Sequence, residues 1–276
     1  MGKLDYLIAV LLGVVQGATE FLPISSSAHL RFVPQLLGEA DPGASFTAII
    51  QLGTILAVLI FFYRDLAKIL KAGWHSLTKK QKWSHPDSRM FLGIALGTLP
   101  IIILGLALQD IIRTAFRNLY LIAILLIFFG IVIWLIDKYL PQSRKNADLS
   151  YTEMFFVGVA QSLALIPGVS RSGATIAAAR LFQLQREDAA RFSFLLSVPA
   201  IIASGLYESL NISGNNPAGW GPTLVAAVVS FLVGYASIAW LLKWLTSNSL
   251  GIFALYRVIV GTGLLVALGA GILNPF

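Results

Sequence analysis

The chain has 276 residues, of which 57% are hydrophobic and only 12% charged, with a mean hydropathy of +0.80 and a formal net charge of +7. A soluble domain carries roughly 25% charged residues, so the composition excludes an ordinary soluble globular protein and points to a polytopic membrane protein. The absence of cysteine excludes a disulfide framework and a thiolate metal site, and basic residues placed in loops between apolar runs follow the membrane pattern, not that of a nucleic-acid-binding face.

The first segment, MGKLDYLIAVLLGVVQG, has one lysine and an apolar run, lacks an A-x-A-like cleavage site and continues straight into Gln16 and Glu20. It reads as a retained segment, not a signal peptide. Residues 5–38 are long enough for two short helices and are interrupted by Pro23 and the run Ser25, Ser26 and Ser27. Residues 151–183 repeat the plan, with Pro167 and Gly168 before Ser170 and Ser172. The short flanking helices favour a re-entrant helix-turn-helix over two ordinary spans joined outside the membrane, provided that protein buries the break or that it lines a cavity. A spanning helix needs about 20 mostly apolar residues. The clear candidates are 45–63, 90–111, 118–138, 192–209, 222–245 and 252–273, with a polar loop over 76–88 in which His75 and His85 read as solvated.

With the N-terminus on one side, the loops 64–89, 138–150, 180–191 and 243–251 fall on the other and carry fourteen lysines and arginines, against Lys3, Arg113 and Arg117 on the first. The positive-inside rule makes the basic side cytoplasmic and puts both termini outside. The halves repeat: Gly13-Val14-x-Gln16 matches Gly158-Val159-x-Gln161, and Ser45-Phe46 matches Ser193-Phe194. The expected fold is all-α and membrane-embedded. It is a single domain of two inverted repeats, 1–145 and 146–276, each one re-entrant hairpin plus three transmembrane helices, with a polar site at their interface.

The polar residues inside the apolar stretches carry the chemistry. Gln16 and Glu20, four apart, share a helix face, and Ser26 and His29, three apart, can touch. A carboxylate at depth serves as a base, a metal ligand or a histidine's partner. The serines after Pro23 sit where a new helix begins, and such N-termini attract phosphate. Arg171, beside Ser170, Ser172 and Thr175, adds the planar fork that suits a phosphate. This is a nucleophile, an acid/base, a carboxylate and an anion clamp, a phosphoryl-transfer set. Gln51 and Arg257 either line the same cavity or make helix–helix contacts.

Over nearly its whole length the chain resembles the undecaprenyl-diphosphate phosphatase family of the bacitracin-resistance type, most closely at QGATEFLPISSSAH (Gln16 to His29) and PGVSRSGAT (Pro167 to Thr175). The resemblance implies hydrolysis of a polyprenyl diphosphate to the monophosphate carrier lipid and inorganic phosphate, in a bacterial cytoplasmic (inner) membrane. It also implies a site open to the periplasmic side and a divalent cation, Mg²⁺ or Ca²⁺. The family often has glutamate where this chain has Gln16, and glycine where it has Ala28, which leaves Glu20 as the principal acid and metal ligand. On this reading Ser26 attacks the terminal phosphorus, His29 assists proton transfer, and Glu20 orients it or holds the cation. Arg171 holds the diphosphate, with Gln16, Ser25, Ser27, Ser170, Ser172 and Thr175 lining the substrate site. Direct attack by water is the alternative mechanism, and a transporter or flippase of an anionic lipid or solute the alternative function. The expected partners are the lipid substrate and the bilayer, without nucleic acid; a homodimer is compatible with the sequence.

Overall fold

The computed structural model describes residues 4–40, 42–79, 82–113, 116, 118–145, 148–210 and 218–276. Lys3 and Arg117, which enter the charge count, the repeat boundary at Asn146 and most of the loop 210–221 lie outside the described residues. The described residues form twelve α-helices: α1 (Tyr6–Phe21), α2 (Ser26–Leu36), α3 (Ala44–Phe61), α4 (Tyr63–Leu77), α5 (Pro86–Ala107), α6 (Gln109–Arg113), α7 (Leu119–Tyr139), α8 (Tyr151–Ser162), α9 (Arg171–Leu181), α10 (Arg186–Leu210), α11 (Trp220–Leu245) and α12 (Gly251–Gly269).

By length and composition α5, α7, α11 and α12 are each able to cross a membrane, and α3 with α4 would make a fifth span if the bent pair counted as one. The sixth expected span, 192–209, lies inside the 25-residue α10, whose first two turns carry Arg186, Glu187, Asp188 and Arg191. Two expectations need correction. The span 45–63 ends at Phe61, and the chain turns by 75° into α4, so residues 64–77 are helix and not loop. His75 belongs to the last turn of α4, and His85 is the N-cap of α5, its Nδ1 accepting from the Asp87 N–H before Pro86 at N1.

Between apolar helices, small residues allow the close backbone approach that packing needs. α1 runs alongside α11 in the same direction, with Gly13 against Ala226 and Val229 and Gly17 against Ser230 and Gly234. α8 runs alongside α5 in the same direction, with Met154 against Gly93 and Gly158 against Gly97. α7 and α12 are antiparallel, with Gly130 against Ala254 and Gly261 against Ala123. Beneath the C-terminal end of α1, Phe21 meets Phe194 of α10 edge-on at 5.5 Å, inside the largest apolar cluster.

At the basic end, loops are tied by ion pairs. Asp137, at the end of α7, accepts from Arg186 Nε at 2.6 Å and from the Leu250 N–H at 2.8 Å. Glu153 closes a capping box with Ser150 and takes the fork of Arg144, whose hydrogen bonds hold its carboxyl down at about 2.

The tightest of these approaches makes a test. A Cβ on Gly158 would lie 2.1 Å from the Gly97 carbonyl oxygen, whereas one on Gly105 would meet only Leu165 at 3.6 Å. Gly158→Ala is expected to force α8 off α5 and lower the thermal midpoint of the purified protein, at a cost of roughly 1–3 kcal/mol, and Gly105→Ala to leave it unchanged. Equal midpoints for the two variants would remove this account of the helix pair.

Candidate active site

The site forms where two interrupted hairpins meet. α1 and α2 have 16 and 11 residues, and α8 and α9 have 12 and 11, each shorter than the roughly 20 needed to span. The first hairpin leaves its helix at Leu22 and re-enters through Ser25 at φ 76°; the second re-enters through Ser170 at φ 72°. A serine in this left-handed region is uncommon and costs about 1–3 kcal/mol where the surroundings hold it.

Arg257, on α12 and fully buried, does much of that holding. Its guanidinium donates to Pro23 O at 3.2 Å in one tip and Gly168 O at 2.8 Å in the other, and to Leu125 O at 3.4 Å and Leu126 O at 3.3 Å on α7. The tips also touch directly, Ser172 Oγ donating to Leu22 O at 3.1 Å.

On this frame α1 presents Gln16 and Glu20 on one face, as their spacing predicts. Gln16 Nε2 donates to Glu20 Oε2 at 3.1 Å and lies 3.4 Å from Thr54 Oγ1 on α3. Ser26 Oγ donates to the same carboxylate oxygen at 2.6 Å, and Arg171 of the other hairpin forms an ion pair with Oε1. Both carboxylate oxygens are therefore engaged, in a position that leaves Glu20 9% exposed. Ser26 is half-buried and Ser27 exposed, so both can be reached from outside.

His29 is placed differently from the expectation. Its ring does not bond Ser26; Nδ1 donates to the Ser25 carbonyl at 2.8 Å, which leaves Nε2 to accept from the Tyr256 hydroxyl at 2.7 Å. The Tyr256 ring also stacks on the imidazole, with centroids 5.7 Å apart. Tyr256 and Thr54 were missed from sequence. A tyrosine beside an intramembrane arginine in α12 was the one available signal. Arg257 itself resolves to a contact between helices.

The remaining expected substrate contacts divide. Ser25 is buried, with its Oγ 3.2 Å from Ser27 Oγ. Ser170 caps α9 by accepting from the Gly173 N–H at 3.2 Å and pairs with Ser172, so these two hydroxyls build the tip. Thr175 is fully buried, bonded to Ser193 at 2.5 Å and to Arg171 O at 2.8 Å, and it faces the interior, not the site. α2 has no side-chain cap bond, which leaves its first turn available to an anion.

A family model described as "Bacitracin resistance protein BacA" matches residues 9–263. An "Undecaprenyl-diphosphatase" of a Nocardioides species is 49% identical over 270 residues, 98% of this chain and 98% of that protein. One of the same name from Clavibacter michiganensis is 49% identical over 269 residues, 97% and 98% of the two chains. One from Paenarthrobacter aurescens is 47% identical over 276 residues, 98% and 100%.

Removing the Arg257 guanidinium would leave the tip carbonyls of Pro23 and Gly168 without their donor, since Leu125 O and Leu126 O lie within α7 and keep their helical bonds. Arg257→Met is expected to destabilise the protein by about 3 kcal/mol or more, read as a lower thermal midpoint in detergent. A midpoint equal to wild type would show that the tips do not depend on it.

Proposed function

The chain belongs to the bacitracin resistance protein family, and we propose how its residues carry out the family's activity. It is a multi-pass membrane enzyme that hydrolyses undecaprenyl diphosphate to undecaprenyl phosphate and inorganic phosphate, recycling the carrier lipid of peptidoglycan synthesis and conferring bacitracin resistance. The observation that carries the mechanism is a single carboxylate, Glu20, holding a serine hydroxyl and an arginine where two broken helices meet.

The terminal phosphoryl group enters beside Ser26 and the first turn of α2. Arg171 exchanges the Glu20 carboxylate for phosphate oxygens, which suit the same planar fork. This frees Glu20 to act as a base, and Oε2 already accepts the Ser26 proton at 2.6 Å. Ser26 Oγ bonds to the terminal phosphorus, the bridging P–O bond breaks, and undecaprenyl phosphate departs. The proton that Glu20 took from Ser26 leaves with the departing undecaprenyl phosphate; water then cleaves the phosphoserine, Glu20 takes the water proton and returns it to Ser26 Oγ, and inorganic phosphate leaves. His29 works beside this serine–carboxylate pair, not within it. Its proton-exchanging nitrogen is Nε2, and the Tyr256 hydroxyl joins that atom to the departing phosphate oxygens. No group of three carboxylates or histidines gathers among the described residues. Glu20 would hold a Mg²⁺ or Ca²⁺ that arrives with the substrate, with Gln16 Nε2 steadying the carboxylate by its hydrogen bond to Oε2, and such an ion would supply charge neutralisation.

The inverted-repeat reading of the two halves, 1–145 and 146–276, rests on paired contacts. α1 lies on α11 as α8 lies on α5, both in the same direction, and Ser25 and Ser170 share a left-handed backbone at the two tips. With the basic end in the cytoplasm, the first hairpin enters from the periplasmic side and the second from the cytoplasmic side, and Ser26 opens to the periplasm.

Ser26→Ala is expected to lower kcat for phosphate release by at least about a hundredfold, with lipid binding retained. Turnover within a few-fold of wild type would make water the direct nucleophile. Tyr256→Phe is expected to lower kcat by about tenfold with KM within about twofold, and to displace the pH–rate profile. An unchanged profile would reduce Tyr256 to packing.

A further inference from the structure

Beyond the active site, α4 is built as three stripes. The first, Ile69, Ala72, Gly73 and Ser76, is buried against α5: Gly73 lies under the Phe91 ring, and Ser76 Oγ donates to Ser88 Oγ at 2.9 Å. The second is Tyr63, Ala67, Leu70, Trp74 and Leu77, spaced by four and three as one helix face requires. It is fully turned outward, with Tyr63 57%, Leu70 59%, Trp74 65% and Leu77 60% exposed. The third is cationic: Arg64, Lys68 and Lys71 each follow a member of the apolar stripe by one position, a rotation of about 100°, and all three are exposed.

Charge and orientation point to one occupant. Asp65, the only acidic residue of α4, is already paired with Arg191 of α10 at 2.9 Å. No described carboxylate pairs with Lys68 or Lys71, and Arg64 is held over the ring and hydroxyl of Tyr63. The 75° turn after Phe61 sets α4 nearly at a right angle to α3. A helix lying across the direction of the spans, with one apolar and one cationic outward stripe, has the form of an interfacial helix. We propose that α4 lies in the bilayer surface at the basic end of the molecule and binds anionic phospholipid headgroups, with Tyr63, Leu70, Trp74 and Leu77 among the upper acyl chains and Arg64, Lys68 and Lys71 on the phosphates.

The test uses the full-length protein, titrated with phosphatidylglycerol or phosphatidylcholine in detergent and read by native mass spectrometry. Each cation near an anionic lipid surface contributes roughly a fivefold factor. The triple variant Arg64→Gln, Lys68→Gln, Lys71→Gln should therefore need at least about tenfold more phosphatidylglycerol for equal occupancy, with phosphatidylcholine binding and basal phosphate release unchanged. Lys243→Gln, another cation at the basic end, should bind phosphatidylglycerol as wild type does. In phosphatidylglycerol vesicles doped with lipid brominated near the headgroup, Trp74→Phe should remove part of the quenched emission. Wild-type phosphatidylglycerol binding by the triple variant, an equal loss in Lys243→Gln, or quenching unaltered by Trp74→Phe would each overturn the proposal.

Discussion

A helix broken inside apolar surroundings leaves carbonyls that neither water nor its own backbone can satisfy, and in a membrane that cost forbids the break unless protein supplies donors. Here one guanidinium supplies a donor to each tip, and Ser172 Oγ supplies another to Leu22 O. Arg257 reaches a carbonyl in each hairpin tip and two on α7. Lysine could not reproduce this, because its donors radiate from one nitrogen, whereas the arginine fork addresses separated carbonyls in a plane. Where Arg257 sits depends in turn on α12 lying close against α7 at Gly130 and Gly261. Close helix packing thus sets the position of the cation, and the cation permits the two irregular tips.

Once the tips are held, the electrostatics of the site follow. Glu20 and Arg171 are 151 residues apart in sequence and come from different hairpins. Neither charge is tolerable there alone, since a buried ion without its partner costs several kcal/mol. The group best able to replace a carboxylate on an arginine is another anion with paired oxygens. On the proposed mechanism a diphosphate takes the place of the carboxylate on Arg171 while Glu20 keeps its hydrogen bond to Ser26, so recognition of the substrate and activation of the serine would be one exchange.

The two motifs, their broken helices and the shared face of Gln16 and Glu20 were legible in sequence because each is a local property of spacing. Three features were not. The Phe61–Tyr63 turn contains neither proline nor glycine, and only the packing of α4 on α5 tells the bend from a continuing span. Thr175, four residues after Arg171, belongs by spacing to the same face; but α9 is buried on nearly every side, so its pattern does not say which side meets the substrate. The partner of His29 lies 227 residues away on α12, and no local spacing could have replaced the expected contact with Ser26 by one with Tyr256.

On the inverted-repeat reading the two halves share a backbone and divide the chemistry. Each carries a glutamine at the same place in its first helix, Gln16 and Gln161. Gln16 is bonded to Glu20, four residues on, whereas the position four after Gln161 is Leu165, and the buried Gln161 amide finds no partner among the described residues. The serine tips diverge likewise. Ser170 spends its hydroxyl on the cap of α9, while Ser25 leaves α2 without a side-chain cap beside Ser26. Arginine follows the strained serine in the second tip, where the first has Ser26, bonded to Glu20. Residue 165 lies beyond the end of α8, in a short 3₁₀ turn with its side chain toward Gly105 of α5, so the second half offers no counterpart to Glu20, and one carboxylate serves both the serine of the first tip and the arginine of the second.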